Sequence, residues 1–454
     1  MIISDRIYVD LDRDKFDPAM FDALTYANPE FYQRMNMGFS TYGVPEKIST
    51  CSIYNRELQV MRGEALKIKP FFESWSPSFS HPDHPVKLKY VNDDFDLDAY
   101  QLEAIKNVAH YRQGIVHAVT SAGKSLMILK SIVDIGQRAI VVVHRKILME
   151  QLLEDIKKYI RDEHGNPITP GIIGDGKSTL GPITIAIDKS LARHLEEYRS
   201  SFGTLILDEC HLVPADTVFA LINCINTQHR YGFTGTLRRK DEKQFLIYST
   251  FGQVIATVNK EQLLAKGRVV PIETHIWESE TKFDWDSVAE ALGTTKARHE
   301  QEMYIAGDPN RNDMILSNVA KMVSAGQKTI VLSRYVQPCF DLAEKMRERY
   351  GIEVGVITGK NPKEAKDVYW AMKNGDLKLI FATVGTVSTG VSISDLDNLV
   401  LISPIYNNEL LLHQIRGRLM RTAEGKEVGH LYFVFDPYIF GENKLTRFLN
   451  IIKK

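Results

Sequence analysis

The feature that most constrains the fold is a series of short apolar runs, each followed by a stretch with helical periodicity. Beyond residue 95 these runs lie at 114–119, 139–143, 183–187, 204–207 and 231–233. A second series lies at 329–332, 355–357, 379–381, 399–402 and 431–435. Short buried strands that alternate with helices form βαβ units around a parallel sheet. The sequence therefore predicts an α/β protein with two parallel sheets of the same kind.

The rest of the chain is organised around these two sheets. Residues 1–92 lack the α/β rhythm and alternate short apolar segments with turn-forming residues, which predicts a small β-rich accessory domain. A proline-rich stretch at 76–85 is typical of a linker. We predict a first α/β domain at 93–265, a polar connecting segment at 266–315 and a second α/β domain at 316–454.

Composition narrows the classes of function. The 454 residues carry a formal net charge of −1, so binding of nucleic acid would need a local groove rather than the overall field. The four cysteines have neither CxxC nor zinc spacing, which predicts reduced thiols. Because there is no apolar run long enough to span a membrane and no signal-peptide layout, we expect a soluble protein of the cytoplasm.

A phosphate-binding loop follows the first strand of the first series. The run at 115–119 leads into Thr120-Ser121-Ala122-Gly123-Lys124-Ser125. Backbone N–H groups in such a loop, at the start of a helix, attract phosphate oxygens. Lys124 would bind the β- and γ-phosphates of ATP, and the Ser125 hydroxyl would hold Mg²⁺. Ala118 stands where this pattern usually has its first glycine.

An acidic pair, Asp208 and Glu209, follows the run at 204–207. Ligands of open parallel sheets bind beyond the carboxyl ends of the strands. Asp208 would hold Mg²⁺ there, and Glu209 would orient and deprotonate the attacking water. The alternative is that the two acids only cap the next helix. Their position behind a Gly-Lys-Ser loop favours the catalytic interpretation.

An arginine pair lies about 200 residues further along the chain. Arg418 and Arg421 are predicted to lie one helical turn apart on one face. Such a pair is often a solvated basic stripe, but beside a phosphate loop it predicts arginine fingers that neutralise the γ-phosphate. Because the second sheet would supply them, we predict an ATP cleft between the domains, with nucleotide driving their closure.

Taken in order, these motifs resemble those of the superfamily 2 helicases over about residues 95–435. The resemblance implies two tandem RecA-like domains. It implies that the amide of Gln101 reads the adenine, that Gly390 belongs to the nucleotide site and that Gln414 joins the arginine pair. It also implies that four residues couple ATP hydrolysis to strand movement: His211, Thr234, Gly235 and Thr236.

The resemblance narrows to the phage branch-migration helicases of the UvsW type and, more distantly, to the XPB-like translocases. The segments that carry it are 28–30 and 38–43 in the N-terminal region and the Asp-Pro-Asn-Arg-Asn sequence at 308–312. This family implies movement on DNA, with a preference for forks and four-way junctions, which it rewinds and regresses.

Basic and hydroxyl groups at strand ends suit sequence-independent contacts to a nucleic-acid backbone. The candidates in the first domain are Arg145, Lys146, Gln151, Ser190, Arg238 and Arg239, and those in the second are Ser333, Arg334, Thr358, Thr383 and Thr386. For any single serine or threonine the alternative is an ordinary cap or turn. The segment at 144–146, His-Arg-Lys, departs from the Pro-Thr-Arg that is usual in the family's first strand-contact motif.

The sequence therefore predicts an ATP-dependent DNA helicase or translocase that uses Mg²⁺ and acts on branched DNA in replication, recombination or repair. Forked or four-way DNA is the predicted partner of a monomeric protein with no membrane role. An RNA helicase remains an alternative, because 2′-hydroxyl contacts are not visible in sequence. A further alternative is an ATP-gated clamp that binds nucleic acid without unwinding it.

Overall fold

The computed structural model describes residues 1–92, 96–119, 121–239, 241–388, 395–403, 409–423 and 425–453. The chain divides into two compact units, Met1–Gln262 and Leu263–Lys454. The first unit contains the N-terminal region and one α/β domain, and the second contains the other α/β domain. Within the described ranges no helix is both long and apolar enough to cross a membrane.

The N-terminal region has a sheet and a core of its own. Its strands are β1 (Ile2–Ile3), β2 (Ile7–Asp10), β3 (Thr25–Ala27), β4 (Lys47–Ser49), β5 (Cys51–Tyr54), β6 (Glu57–Val60) and β7 (Ser78–Phe79). Its helices are α1 (Met20–Ala23), α2 (Pro29–Asn36) and α3 (Ala65–Ile68). Five strands pair in the order β5-β6-β2-β1-β7, and β3 pairs with β4. The predicted β-rich character is confirmed, and β7 lies inside the stretch predicted as a linker.

The first α/β domain is built on an eight-stranded sheet in the order β13-β12-β14-β10-β15-β16-β9-β17. The strands introduced here are β8 (Leu88–Tyr90), β9 (Gln113–Ala118), β10 (Ala139–Val143), β11 (Ile160–Asp162), β12 (Gly171–Gly174), β13 (Lys177–Thr179), β14 (Ile183–Ile187), β15 (Thr204–Asp208), β16 (His229–Thr234) and β17 (Val254–Val258). The pairs are parallel except for β12 with β13, and β8 pairs with β11 outside this sheet.

Helices cover this sheet, and all five predicted strands of the first series are present. The helices are α4 (Ala99–His110), α5 (Lys124–Ile135), α6 (Lys146–Tyr159), α7 (Asp188–Arg193), α8 (Leu195–Tyr198), α9 (Asp216–Asn223), α10 (Phe245–Phe251) and α11 (Lys260–Ala265). Every residue of β10 is buried, as expected for a strand with helices on both faces. The carboxyl ends of β9 and β15 therefore lie in a rigid framework at one edge of the sheet.

A buried arginine joins the N-terminal region to this α/β domain. Arg62 is 2% exposed. Its Nε donates to Oε1 of Gln113 at 2.9 Å, and its Nη2 donates to the carbonyl of Gln228 at 2.7 Å. Its Nη1 donates to the carbonyl of Thr227. Because one side chain satisfies several buried acceptors of the α/β domain, residues 1–92 are an integral part of the first unit.

We expect Arg62→Met to lower the free energy of unfolding by about 3 kcal/mol or more, because it leaves several buried acceptors without a donor. The matched control is Arg56→Met. Arg56 is 82% exposed and pairs with Asp12 at 3.3 Å, so its loss should change stability by only about 0–1 kcal/mol. Urea unfolding followed by circular dichroism measures both variants. Equal midpoints for the two would contradict the anchoring role of Arg62.

The second α/β domain has a six-stranded, all-parallel sheet in the order β18-β23-β22-β19-β21-β20. Its strands are β18 (Ile272–Glu278), β19 (Thr329–Ser333), β20 (Gly355–Ile357), β21 (Leu379–Thr383), β22 (Asn398–Leu401) and β23 (Gly429–Phe435). Its helices are α12 (Trp285–Leu292), α13 (Thr294–Gly307), α14 (Pro309–Ser324), α15 (Val336–Tyr350), α16 (Pro362–Asn374), α17 (Val384–Ser388), α18 (Glu409–Leu419) and α19 (Glu442–Lys453). The prediction of a second parallel sheet is confirmed.

The boundaries of this domain differ from those predicted. The segment at 266–315, expected to connect the domains, lies in the second unit and supplies the edge strand β18. In the same segment Asp308 caps α14, and Arg311 forms an ion pair with Asp436 in which both side chains are at most 1% exposed. Loss of either partner would strongly destabilise the folded domain, because it would leave an uncompensated buried charge. The segment at 308–312 therefore has a structural role within this domain.

Candidate nucleotide site

The predicted phosphate loop lies between the carboxyl end of β9 and the start of α5. Ser121 and Gly123 have positive φ angles of 73° and 78°, which turn the backbone sharply ahead of the helix. Ala122 is buried between them, and Lys124 and Ser125 are the first residues of α5. N–H groups at a helix start attract anions, so this geometry is compatible with a phosphate loop. Thr120, also predicted for this loop, lies outside the described residues.

The side chain of Gln101 forms a hydrogen bond with this loop. Its Oε1 accepts from the backbone N–H of Asp98 at 2.9 Å and completes the capping box of α4. Its Nε2 donates to the carbonyl of Ala122 at 3.0 Å. The φ of 78° at Gly123 makes glycine the favoured residue there, and a Cβ atom at this position would also lie 2.4 Å from this nitrogen. Sequence reasoning placed Gln101 at the adenine but missed its hold on the loop.

The acidic pair lies at the carboxyl end of β15. Oδ1 of Asp208 accepts from the N–H of Glu209 at 3.0 Å. Glu209 has φ 58° and ψ 51°, a left-handed conformation that is rare for residues other than glycine. Its Oε1 lies 3.9 Å from Nζ of Lys124. Glu209 makes no side-chain cap for the helical turn Cys210–Leu212 that follows, so the geometry favours the catalytic interpretation over capping.

The pKa values of the two carboxyl groups are shifted in opposite directions. Burial raises the pKa of Asp208, and the negative charge of Glu209 raises it further. Burial acts in the same direction on Glu209, but Lys124 and His211 hold the pKa of that carboxyl below its usual value. Glu209 is therefore ionised at neutral pH and can accept a proton or orient a water molecule.

Asp208 and Ser125 offer oxygen ligands of a kind that fits a magnesium ion. A carboxylate and the Ser125 hydroxyl are oxygen ligands of the kind that Mg²⁺ prefers when it also binds phosphates. A cation would also oppose both effects that raise the pKa of Asp208. When bound, Mg²⁺ would neutralise charge on the phosphate oxygens, while Lys124 and the loop N–H groups orient them.

The four predicted coupling residues form one chain of contacts that starts at Glu209. Oε2 of Glu209 lies 3.1 Å from Nδ1 of His211, and the same nitrogen lies 3.0 Å from Oγ1 of Thr234. Oγ1 of Thr234 accepts from the N–H of Thr236 at 3.2 Å. The carbonyl of Gly235 lies 3.2 Å from Nε2 of His117, a residue that the sequence did not single out. A change at the acidic pair can therefore reach the end of β16 through His211.

Arg239 extends this chain towards the surface. It donates to the carbonyl of His211 and forms a bidentate ion pair with Asp241, with N···O distances of 2.8 and 2.6 Å. Arg238 is exposed beside it. Sequence reasoning missed Asp241, although an acid two residues after an arginine was a visible signal. The pair holds one arginine against the coupling chain and leaves its neighbour at the surface.

The other predicted contacts of the first unit have local partners. Lys146 pairs with Asp175 at 2.5 Å, and Oγ of Ser190 accepts from Arg193 at 3.3 Å. Burial lowers the pKa of Arg145. Burial, followed by the charge of Arg145, lowers the pKa of His144 to about 4. His144 is therefore neutral at pH 7, and the basic groups of this segment are Arg145 and Lys146.

In the second unit the predicted hydroxyl groups lie at the carboxyl ends of adjacent strands. Ser333 ends β19, Thr358 follows β20 and Thr383 ends β21. Oγ1 of Thr383 lies 2.8 Å from Oγ1 of Thr386, which donates to the carbonyl of Ile357 at 3.2 Å. These residues therefore lie at the same end of the parallel sheet.

Two basic groups of the second unit are held by neighbouring residues. Arg334 forms an ion pair with Glu302 at 2.9 Å. Helix α18 ends at Leu419, because the N–H of Val270 donates to the carbonyl of Met420 at 2.7 Å and Val269 bridges Arg421. The prediction that Arg418 and Arg421 share one helical face is therefore wrong for Arg421, which lies just beyond the helix. Gly390 and the side chain of Gln414 lie outside the described residues.

Two protein families match separate parts of the chain. The family described as "Type III restriction enzyme, res subunit" matches residues 94–239, and the family described as "Helicase conserved C-terminal domain" matches residues 311–423. These ranges contain the phosphate loop and acidic pair in the first unit and the arginine pair in the second. The fold and the site thus define the nucleotide-using core of a helicase.

Similar proteins point in the same direction. The chain is 23% identical over 346 residues to "ATP-dependent DNA helicase uvsW" of Enterobacteria phage T4, covering 74% of this chain and 68% of the relative. It is 24% identical over 368 residues to "DNA 3'-5' translocase XPB2" of Sulfurisphaera tokodaii, covering 74% and 80%. A fragment described as the HsdR subunit of a type I restriction enzyme from Vibrio vulnificus YJ016 has a similar fold, with a TM-score of 0.54, 18% identity and coverage of 76% and 65%. Through both of its α/β domains the chain is thus similar to helicases, among them UvsW of phage T4.

Proposed function

We propose that this chain is an ATP-driven DNA translocase that rewinds branched DNA by fork regression and branch migration. The observation that carries the proposal is the contact chain from Lys124 through Glu209 and His211 to Thr234. It links the phosphate loop to the strand end that precedes Arg238 and Arg239. Hydrolysis of ATP could therefore shift the residues proposed to contact a nucleic-acid backbone. The names of the T4 and Sulfurisphaera relatives support DNA as the polymer.

In this proposal each side chain of the site has one task. Lys124 and Ser125 bind the phosphates and Mg²⁺ together with Asp208, and Glu209 activates the attacking water. Arg418 and Arg421 of the second unit approach the γ-phosphate when nucleotide is bound and neutralise its charge. Hydrolysis then releases them, and the two units change their grip on one DNA strand in turn. The protein acts as a monomer.

The N-terminal region would select the branched substrate. Helix α2 is tied to the α/β domain near Arg239, because Glu30 pairs with Lys243 at 3.1 Å. After this helix Phe39 and Tyr42 are 64% and 95% exposed. Exposed aromatic rings stack on unpaired bases, and unpaired bases are found where strands branch. We therefore place Phe39 and Tyr42 at the branch point of the DNA.

ATPase and unwinding assays with matched substrates test this function. We expect the rate of ATP hydrolysis to rise most with forked DNA and four-way junctions, less with blunt duplex DNA and least with RNA of the same sequence. A Phe39→Ala/Tyr42→Ala double variant should lose the preference for branched DNA and keep the basal ATPase rate. Its matched control is Tyr54→Ala, since Tyr54 is 67% exposed on the edge strand β5.

The alternatives give different results in the same assays. Maximal stimulation by RNA would replace the DNA proposal with an RNA helicase. ATP-dependent retention on DNA without any strand rearrangement would indicate a clamp. If the double variant kept the full preference for branched substrates, the proposed role of Phe39 and Tyr42 would be wrong while the motor function could stand.

A further inference from the structure

Three potential metal ligands converge at one corner of the second sheet. Glu273 and His275 lie on the same face of the edge strand β18, and His430 lies on β23 directly opposite Glu273. Within the part of the chain that the structure describes, this is the one group of three or more His, Cys, Asp or Glu side chains with donor atoms inside 4.8 Å of one another. Two strands far apart in sequence thus contribute to one cluster.

The distances within this cluster lie within a few tenths of an ångström of those in a tetrahedral metal site. Nε2 of His275 lies 3.1 Å from Nδ1 of His430. Oε2 of Glu273 lies 3.9 Å from the former nitrogen and 3.6 Å from the latter. Ligand atoms bound at about 2.0–2.2 Å to a tetrahedral Zn²⁺ are roughly 3.3–3.6 Å apart. Shifts of a few tenths of an ångström would place one ion within bonding distance of all three atoms.

The surroundings hold the two imidazole rings in place and leave room for a fourth ligand. The ring of Tyr432 stacks on His275, with ring centroids 4.6 Å apart and an angle of 19° between the planes. The ring of Trp277 in turn packs against Tyr432, with ring centroids 4.9 Å apart. The Glu273 side chain is 63% exposed, so water can reach the cluster. Fixed ligand orientation and one open position are both features of metal sites.

The simpler interpretation is a hydrogen bond between two imidazoles, because 3.1 Å is also a hydrogen-bond distance. That bond needs no carboxylate, yet one oxygen of Glu273 lies within 4 Å of both ring nitrogens. Among the described strands, β18 is also an edge strand and pairs with β23. An ion shared by the two strands would fasten the edge of the sheet in a way that one histidine pair does not.

We propose that Glu273, His275 and His430 bind one transition-metal ion of the Zn²⁺ class, with water as the fourth ligand. Two imidazoles and a carboxylate are a ligand set that suits Zn²⁺. The cluster lies at the amino-terminal ends of β18 and β23, whereas Ser333 and Thr383 lie at the carboxyl ends of β19 and β21. The ion would therefore join β18 to β23 at the end of the sheet opposite these hydroxyl groups.

Competition with a chromophoric chelator tests the proposal on the full chain, with Zn²⁺ as the only added metal and no nucleotide present. We expect the unmodified protein to bind one Zn²⁺ and to unfold at a higher temperature with Zn²⁺ than with excess EDTA. His275→Ala, His430→Ala and Glu273→Gln should each weaken this binding by about 100-fold or more. A loss above about 100-fold would exceed the roughly 10–100-fold effect of removing an outer-shell partner of a metal ligand.

His164→Gln is the matched control, because His164 is 75% exposed and lies 3.7 Å from one carboxylate, that of Glu163. It should bind Zn²⁺ as tightly as the unmodified chain. Glu273→Gln keeps the shape of the side chain and the histidine pair, so circular dichroism should show an unchanged fold. Zn²⁺ affinity that is the same in all three cluster variants as in the control, or no stoichiometric binding by the unmodified chain, would overturn the proposal.

Discussion

Lys124→Ala is expected to reduce ATP turnover by a factor of about 10²–10³ or more, while binding of DNA persists. The ammonium group of Lys124 is the fixed positive charge of the phosphate loop, and it lies 3.9 Å from Glu209. Removing one preorganised charge or donor from a site that stabilises developing negative charge has an effect of this size. Without the lysine the β- and γ-phosphates lose a charge-assisted contact, and Glu209 loses the cation that keeps its pKa low.

The matched control for this variant is Lys130→Ala. Lys130 lies on the same helix and forms an i,i+4 surface pair with Asp134. Its loss should leave the hydrolysis rate within about a factor of two, since such pairs contribute roughly 0.3–0.5 kcal/mol. Steady-state phosphate release measures turnover, and fluorescence anisotropy of labelled forked DNA measures binding. Normal turnover in Lys124→Ala would remove this loop from the nucleotide site.

Arg421→Ala is expected to lower kcat for ATP hydrolysis by a factor of roughly 10²–10³ or more, with little change in nucleotide affinity, on the scale of an arginine finger. A finger acts on charge that develops only in the transition state, so its loss affects kcat rather than ground-state binding. Arg421 follows α18 immediately, and its position is fixed by the backbone bridge to Val269. The bridge does not depend on the side chain, so the variant should keep its local backbone.

Arg349→Ala provides the control for the second unit. Arg349 is 48% exposed and pairs with Asp313 on α14, and its removal should leave kcat unchanged. Single-turnover hydrolysis and titration with a fluorescent nucleotide separate the chemical step from binding. An unchanged kcat in Arg421→Ala would exclude it as a finger. A parallel loss of nucleotide affinity would instead assign it to ground-state binding.

The sequence predicted the strands of both sheets well wherever a strand is buried on both faces. The runs at 139–143 and 183–187 coincide with β10 and β14, because a central parallel strand must be apolar along its whole length. Strands β12 and β18 were missed, as were the edge strands β13 and β17. The first is a short Gly-Ile-Ile-Gly segment, and the second is a half-exposed edge strand with Glu273, Thr274 and His275 at its start. An edge strand needs fewer apolar residues, so periodicity does not reveal it.

For the site, the sequence predicted the components but not the contacts between them. Lys124, Asp208 and Glu209 could be assigned because each follows a recognisable strand. The bond from Gln101 to the loop and the pair of Arg239 with Asp241 depend on three-dimensional packing. The end of α18 was also unpredictable, since it is set by a backbone bond from Val270, about 150 residues away in sequence. Local sequence patterns identify the functional side chains, whereas tertiary hydrogen bonds determine how those side chains are positioned.

The left-handed backbone of Glu209 implies a conflict between folding and activity at a single position. A side chain in this conformation raises the energy of the native state by about 1–3 kcal/mol, and glycine would relieve most of this strain. Selection for stability alone would therefore favour losing the carboxylate that the reaction needs. The carboxylate proposed to activate water thus lies in a strained backbone turn, which the paired strands β15 and β16 must hold in place.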